Sequence, residues 1–377
     1  MTRTAQAVRV GGVRAVVLPE APHVSIGLAV PVGFALDPVG APGLAHVCEH
    51  AVPAAVPHAV MGSFAIAAVT SCHHTTFVAD VMPEEVDAAL RAFAALTRPD
   101  PARLRRAVER ERPVVALELS MTAGAAGHGV GAAVAELLVP QTGLGRELDA
   151  APDTVREVSP EGVLSHVEEH YGARSATLVL AGPVTGHHLD TGLELFPGGP
   201  PRPEADAPPA RAPGPVPAWG IAHTHGPRHA DPRPAWQDCL DEALIRPGSP
   251  ADRLARSMAA TPLGAMALRC PRGDLVLSAY RGEGDARNGA EAAAALRDAL
   301  LSEEHRPKVV STAVAAAAQG YAARRSRMDL PWHVRDALLA EATGTGPRWE
   351  QWTEPYDPAL ATKTAESLLD RMTPWPA

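Results

Sequence analysis

The chain is short of aromatic residues, of cysteine, of positive charge and of long apolar runs, and each shortage removes a class of protein. Aromatic residues fill 4% of its 377 positions, so apolar packing has to rest on Ala, Val and Leu. Four cysteines (Cys48, Cys72, Cys239 and Cys270) are too few for a disulfide scaffold in a chain of this size and fit a reduced, cytoplasmic setting. No apolar run approaches the roughly 20 residues that a membrane span needs. The opening MTRTAQAVRVGG has neither the apolar segment nor the cleavage pattern of a secretory signal. The formal charge of −9 argues against nucleic acid as a partner, because phosphate contacts need clustered Lys and Arg. One basic run, Arg103 to Arg112, is interrupted by Glu109 and Glu111 and reads as a solvated helix face.

What remains is a globular composition, 46% hydrophobic and 20% charged, in a chain long enough for two domains with separate cores. The seam is PGGPPRPEADAPPARAPGPVPAW, from Pro197 to Trp219, where proline is too dense for helix or central strand. It divides the sequence into an N-terminal domain at 1–198, a Pro-rich linker at 199–218 and a C-terminal domain at 219–377. In the first half, VRAVVLPE and HVSIGLAVPVG fit a strand hairpin, and SFAIAAVTS with TTFVADVM a second strand pair. LAHVCEHAV begins a buried helix, and PEEVDAALRAFAAL is an amphipathic one with Pro and acids in its first turn. DPARLRRAVERERPVVALEL is helical, with Pro113 expected to kink or break it. SPEGVLSHVEEHY is a helix capped by Ser159, and ATLVLAGPV is a core strand. The second half repeats the mixture more faintly, with helices at SPADRLARSMAA and GAEAAAALRDALL and a strand pair at GAMALRC and DLVLSAY. Paired strands with intervening helices indicate an α+β class with helices packed on sheets.

Chemistry is concentrated in His46-Val47-Cys48-Glu49-His50. On a helix, positions i and i+4 share a face, so both imidazoles can reach one ion. Glu49 shares that face and can take a proton from a water held there. This is the inverted H-x-x-E-H arrangement. A catalytic zinc site also needs a third protein ligand and keeps one position open; two His and a Glu is one accepted set, so a carboxylate is sought downstream on another helix.

VRAVVLPE…VSIGLAVPVGFALDPVGAPGLAHVCEH resembles the opening of the M16 (pitrilysin-like) metallopeptidases, where a strand pair and a glycine-bearing loop deliver the H-x-x-E-H helix. ERPVVALEL, from Glu111 to Leu119, is similar to that family's E-R-x-V-V-x-x-E segment, and GLGRELDAAPDTVREVSPEGVLSHVEEHYGARSATLVLAGPV to the close of its domain. The resemblance implies Glu118 as the third ligand of a Zn2+ ion beside His46 and His50, Glu49 as catalytic base, and Glu111, about two helical turns before Glu118, in a supporting catalytic role. It implies two M16-type α+β domains, each a mostly antiparallel sheet packed with helices, facing each other across a cavity. It also implies that the strand at Ala67, Ala68 and Val69 binds extended peptide through its main chain, although the family often has Asn where Ala67 stands. Cys48, pointing away from the metal, is expected in the core. His73 and His74 are read as ordinary polar positions. His166, His170, His187, His188 and the group His223, His225 and His229 are read as exposed or linker residues.

Two further departures bear on function. The interval from His50 to Glu118 is shorter than in the family by roughly two helical turns, with the loss falling in AVPAAVPHAVMGSF. The stretch Thr261-Pro262-Leu263-Gly264-Ala265-Met266 has neither the Arg nor the Tyr that family members use to hold substrate, and neither Tyr280-Arg281 nor Tyr321 stands in a comparable context. The resemblance therefore implies the zinc-bearing subunit of a peptide-cleaving endopeptidase, a heterodimer whose homologous subunit carries the Arg/Tyr pair, or else a homodimer. The alternative is a non-catalytic M16-like scaffold or assembly subunit that keeps the fold and the metal.

Overall fold

Runs of Val, Leu, Ile and Thr in the first half adopt the extended backbone that such residues favour. The computed structural model describes residues 6–122, 150–198, 218–226, 233–270, 273–281 and 286–375, together with Val134, Leu138, Gly143, Arg146, Arg228 and Ala230. The expected linker therefore lies almost wholly outside the described residues, as does His229. Two compact units fall within Met1–Thr122, Asp149–Pro209 and Arg327–Thr343, and within Ala123–Leu148, Ala210–Ser326 and Gly344–Ala377.

In the first unit β1 (Gln6–Val10), β2 (Val13–Val17), β3 (Val24–Val30), β4 (Ala67–Thr70), β5 (Thr75–Val81) and β6 (Thr177–Gly182) form one sheet in the order β1-β2-β6-β3-β5-β4. Only β2 and β6 run parallel; the other neighbours are antiparallel. The hairpin expected between VRAVVLPE and HVSIGLAVPVG is not formed. The core strand β6 enters between β2 and β3, and β2 pairs instead with β1, a strand that hydropathy did not reveal because its residues are mostly exposed. The second expected pair, β4 with β5, is present.

Helices α1 (Leu44–Ala55), α2 (Val86–Leu96), α3 (Pro101–Thr122), α4 (Pro152–Arg156), α5 (Pro160–His170) and α6 (Gly186–Leu195) belong to this unit. α3 runs unbroken through Pro113. Proline lacks the N–H that would bond the Glu109 carbonyl, and Glu109 is exposed, where water can take that carbonyl instead. Ser159 caps α5 as expected, its Oγ accepting from Gly162 N at 3.0 Å. β3 is buried along its whole length, so both faces are covered. Ile26 and Leu28 meet the core that includes Leu44 and Val47. Gly27, on the opposite face, lies against Leu339, which would come within 2.9 Å of an added Cβ. Leu339 belongs to α11 (Pro331–Ala342), late in the chain, which packs on β3 and β6 and is pinned by Arg335 to Asp80 at 3.2 Å and by Glu341 to Arg14.

The second unit has β7 (Trp219–His225), β8 (Thr261–Cys270), β9 (Gly273–Arg281) and β10 (Thr373–Trp375) in the order β10-β7-β9-β8, all antiparallel. The strand pair β8–β9 matches expectation. Helices α7 (Ala235–Ile245), α8 (Pro250–Ser257), α9 (Ala286–Leu301), α10 (Arg306–Arg325) and α12 (Pro358–Asp370) complete it, with α7 and α9 against the sheet.

Candidate metal centre

A tight loop delivers α1 to its place. After β3 the chain passes Gly33, where a Cβ would lie 2.0 Å from the Ser71 carbonyl oxygen, so only glycine permits the approach. The buried Asp37 carboxylate then accepts from Gly43 N at 2.7 Å and Ala45 N at 2.8 Å. It satisfies donors that the helix start leaves open, while Gly43 itself turns through φ 88°. Asp37 carries no capping signal in the sequence because it sits six residues ahead of the capping position, Gly43, and not at it. Leu44, Val47, Cys48 and Ala51 are buried in the core, which leaves His46, Glu49 and His50 on the other face. Cys48 is a core residue, as expected, and burial pushes its thiol well above the ordinary range.

α1 packs against α3, which carries the two carboxylates. Glu118 Oε2 stands 3.5 Å from His46 Nε2 and 3.4 Å from His50 Nε2. The ligand atoms of the three residues all lie within 4.8 Å of one another. Glu111 Oε2 is 3.9 Å from His50 Nδ1, on the ring nitrogen facing away from Glu118, and Glu111 Oε1 accepts from Arg110 Nε at 2.9 Å. The two imidazoles meet edge to face at 5.1 Å. Burial draws His46 below its ordinary pKa; the Glu49 and Glu118 carboxylates oppose that shift and His50 reinforces it. A neutral His46 keeps a nitrogen lone pair available. A tetrahedral ion with bonds of about 2.0–2.1 Å has ligand-to-ligand edges of about 3.3 Å, close to both separations measured from Glu118. Two imidazoles and one carboxylate are a donor set that fits zinc.

Ala67, Ala68 and Val69 lie on β4, at the end of the sheet and next to α1. Among the described residues β4 is paired on one side, to β5, and Val69 is 62% exposed. His73 and His74 sit in the β4–β5 turn, where His73 is buried and burial depresses His74 to a pKa of about 3. Three other histidines depart from expectation. His166 is buried on α5, and His223 and His225 are buried on β7 beside Asp241 of α7. The alternation in His223-Thr224-His225 was the signal available, since i and i+2 on a strand share a face; a neighbouring proline-rich seam made it read as linker. In the second unit, the Tyr280 side chain is buried and the Tyr321 hydroxyl donates to the Trp352 and Glu354 carbonyls at 3.1 and 2.7 Å. Both tyrosines are structural.

Residues 15–148 match the description of Insulinase (Peptidase family M16). This segment, 134 of the chain's 377 residues, is what is similar to the M16 family. It contains α1 and the whole of α3, hence both histidines and both carboxylates. The M16 fold extends beyond that segment. The chain is 16% identical to pitrilysin with a TM-score of 0.63, all of this chain being covered against 45% of pitrilysin, so it spans less than half of that protein. Against the first half of the periplasmic protease PqqL from Escherichia coli the TM-score is 0.62 at 14% identity, covering 97% of this chain and 90% of that one. Against a peptidase M16 inactive domain from Pseudomonas fluorescens it is 0.68 at 14% identity, covering 99% and 98%. No curated protein matches the sequence. Among the described residues no helix is long and apolar enough to cross a membrane.

Proposed function

We propose that this M16 chain is the zinc-bearing subunit of an endopeptidase that hydrolyses peptide bonds. The observation that carries the reading is the convergence of His46, His50 and Glu118 within 4.8 Å, with Glu49 one turn from His46 on the same helix. Zinc, held by His46, His50 and Glu118, would supply Lewis acidity, lowering the pKa of a water and polarising a carbonyl. Glu49, partly exposed and not among the three ligands, takes the proton of the attacking water and returns it to the leaving amine. Glu111 stands 3.9 Å from His50 Nδ1, beyond hydrogen-bond reach, and supports that ring through its negative charge. The free side of β4 offers main-chain donors and acceptors to an extended peptide, a role for which Ala67, Ala68 and Val69 need no particular side chain.

β8 has no Tyr and its one Arg, Arg269, is paired with Glu242 at 3.1 Å, while the tyrosines of β9 and α10 are committed to the core, so none of them is placed to hold the scissile carbonyl. A homologous subunit bearing an Arg/Tyr pair completes the enzyme. Glu49→Gln keeps size and hydrogen bonding but removes the base. Cleavage by the assembled enzyme is expected to fall at least a hundredfold with zinc content unchanged. Unchanged cleavage would remove Glu49 from the mechanism, and loss of zinc from a folded variant would make it a ligand. Strong peptidase activity from this chain as a verified monomer or homodimer would remove the need for a partner. The second reading, a non-catalytic subunit, draws support from the likeness to the inactive domain. It predicts that no homologous partner restores cleavage.

A further inference from the structure

The second unit holds a cluster of the same residue types in a different setting. His223 and His225 project from one face of β7, and Asp241 of α7 lies across from both. His223 Nε2 is 3.4 Å from Asp241 Oδ1, and His225 Nε2 is 3.1 Å from Asp241 Oδ2. All three side chains are at most 1% exposed. Their ligand atoms lie within 4.8 Å of one another, and the rings stand perpendicular at 5.1 Å.

Charge pairing around the cluster singles out Asp241. Asp238 binds Arg228 at 2.5 Å and Arg269 at 3.8 Å. Glu242 binds Arg269 and Arg324, and Asp274 binds Arg228 and Arg233. Every acid of this neighbourhood has a guanidinium except Asp241, which among the described residues faces imidazoles alone. A buried carboxylate without a cation is costly, and neutral imidazoles supply no charge. A protonated ring would supply one, but the Nδ1 atoms of both rings are buried without a partner, so its second N–H would be left unpaired. The Nε2-to-oxygen separations are also long for charge-assisted hydrogen bonds, which run about 2.7–2.9 Å. They match the roughly 3.3 Å edge of a tetrahedral ion.

We propose that His223, His225 and Asp241 form a second metal site, one that takes a divalent ion of the zinc type and ties β7 to α7. Two imidazoles and a carboxylate suit zinc among the available divalent ions. The ion neutralises Asp241 and holds the strand and helix together, so the site is structural. A cavity of about 380 Å³ reaches His225, but Arg233, Lys363 and Arg371 line it. A cation does not pass that mouth easily, so loading accompanies folding and exchange afterwards is slow.

The test uses the full chain carrying His46→Ala and His50→Ala, which disables the first cluster and leaves the second intact. After expression with zinc and long dialysis against a mild chelator, this variant is expected to hold about one zinc per chain. Adding His223→Asn and His225→Asn should lower that at least tenfold. Replacing zinc by Co2+ in the first variant should give visible absorption from a nitrogen- and oxygen-ligated ion. A folded His46→Ala/His50→Ala protein without zinc overturns the second site, as does unchanged zinc in the fourfold variant. The outcome is separable from the proposed peptidase centre. If the wild type and the first variant both hold one zinc, it is the first cluster that fails to bind metal.

Discussion

His46, His50 and Glu118 have side chains 26%, 18% and 48% exposed, whereas those of His223, His225 and Asp241 are between 0% and 1%. The first set stands on two helices with one side toward solvent, the second between a strand and a helix. Identical donor types therefore meet different physics. Solvent at the first cluster screens the charges and leaves room for a water and a substrate, which a catalytic ion requires. Exclusion of solvent at the second raises the cost of any unpaired charge and makes the cluster a matter of stability. Exposure, more than ligand identity, separates a site that can turn over from one that can hold a fold together.

The largest expected effect tests the buried side of this comparison. In the zinc-loaded chain, Asp241→Asn leaves a buried cation without its only negative ligand and should lower the free energy of unfolding by about 3–5 kcal/mol, read by urea denaturation. A variant as stable as the parent would mean that the two clusters do not differ in the way their burial implies.

A smaller effect separates the acid responses of the units. His74 has a folded pKa of about 3 against an ordinary 6.5. Between those values the unfolded chain carries a proton at this residue and the folded one does not, so stability is fully present above about 6.5 and declines as pH falls toward 3. At about 1.4 kcal/mol per pH unit, His74 accounts for a loss of about 2 kcal/mol between pH 7 and 5. His74→Gln should flatten the stability–pH curve by that amount, measured on metal-free protein. An unchanged curve would show that the imidazole titrates as it does in water.

The smallest effect is expected where the comparison predicts tolerance. Glu118→Gln, at a half-exposed position, should change unfolding free energy by less than about 1 kcal/mol, while zinc affinity falls at least tenfold. A large loss of stability would show that the first cluster also holds the fold together.

Much of the candidate site was legible in the residue order because its spacing is helical. His46 and His50 are one turn apart, as are His46 and Glu49, and a helix turns such separations into a shared face with no help from the rest of the chain. Glu118 was legible through the E-R-x-V-V-x-x-E pattern around it. The alternation along β5 and the short apolar runs of β6, β8 and β9 likewise announced strands. Order along the chain could not tell that β6 would part β2 from β3, because strand neighbours are chosen by burial across long separations. Nor could it tell that α11 would cover the far face of β3, where Gly27 leaves space for Leu339. The same holds for Asp37, which reaches forward to cap α1, and for Asp241, which meets His223 and His225 only when α7 packs on the second sheet. Local periodicity is written in neighbouring residues. The pairing of distant ones is decided by which surfaces must leave water together, and that exists only in the folded chain.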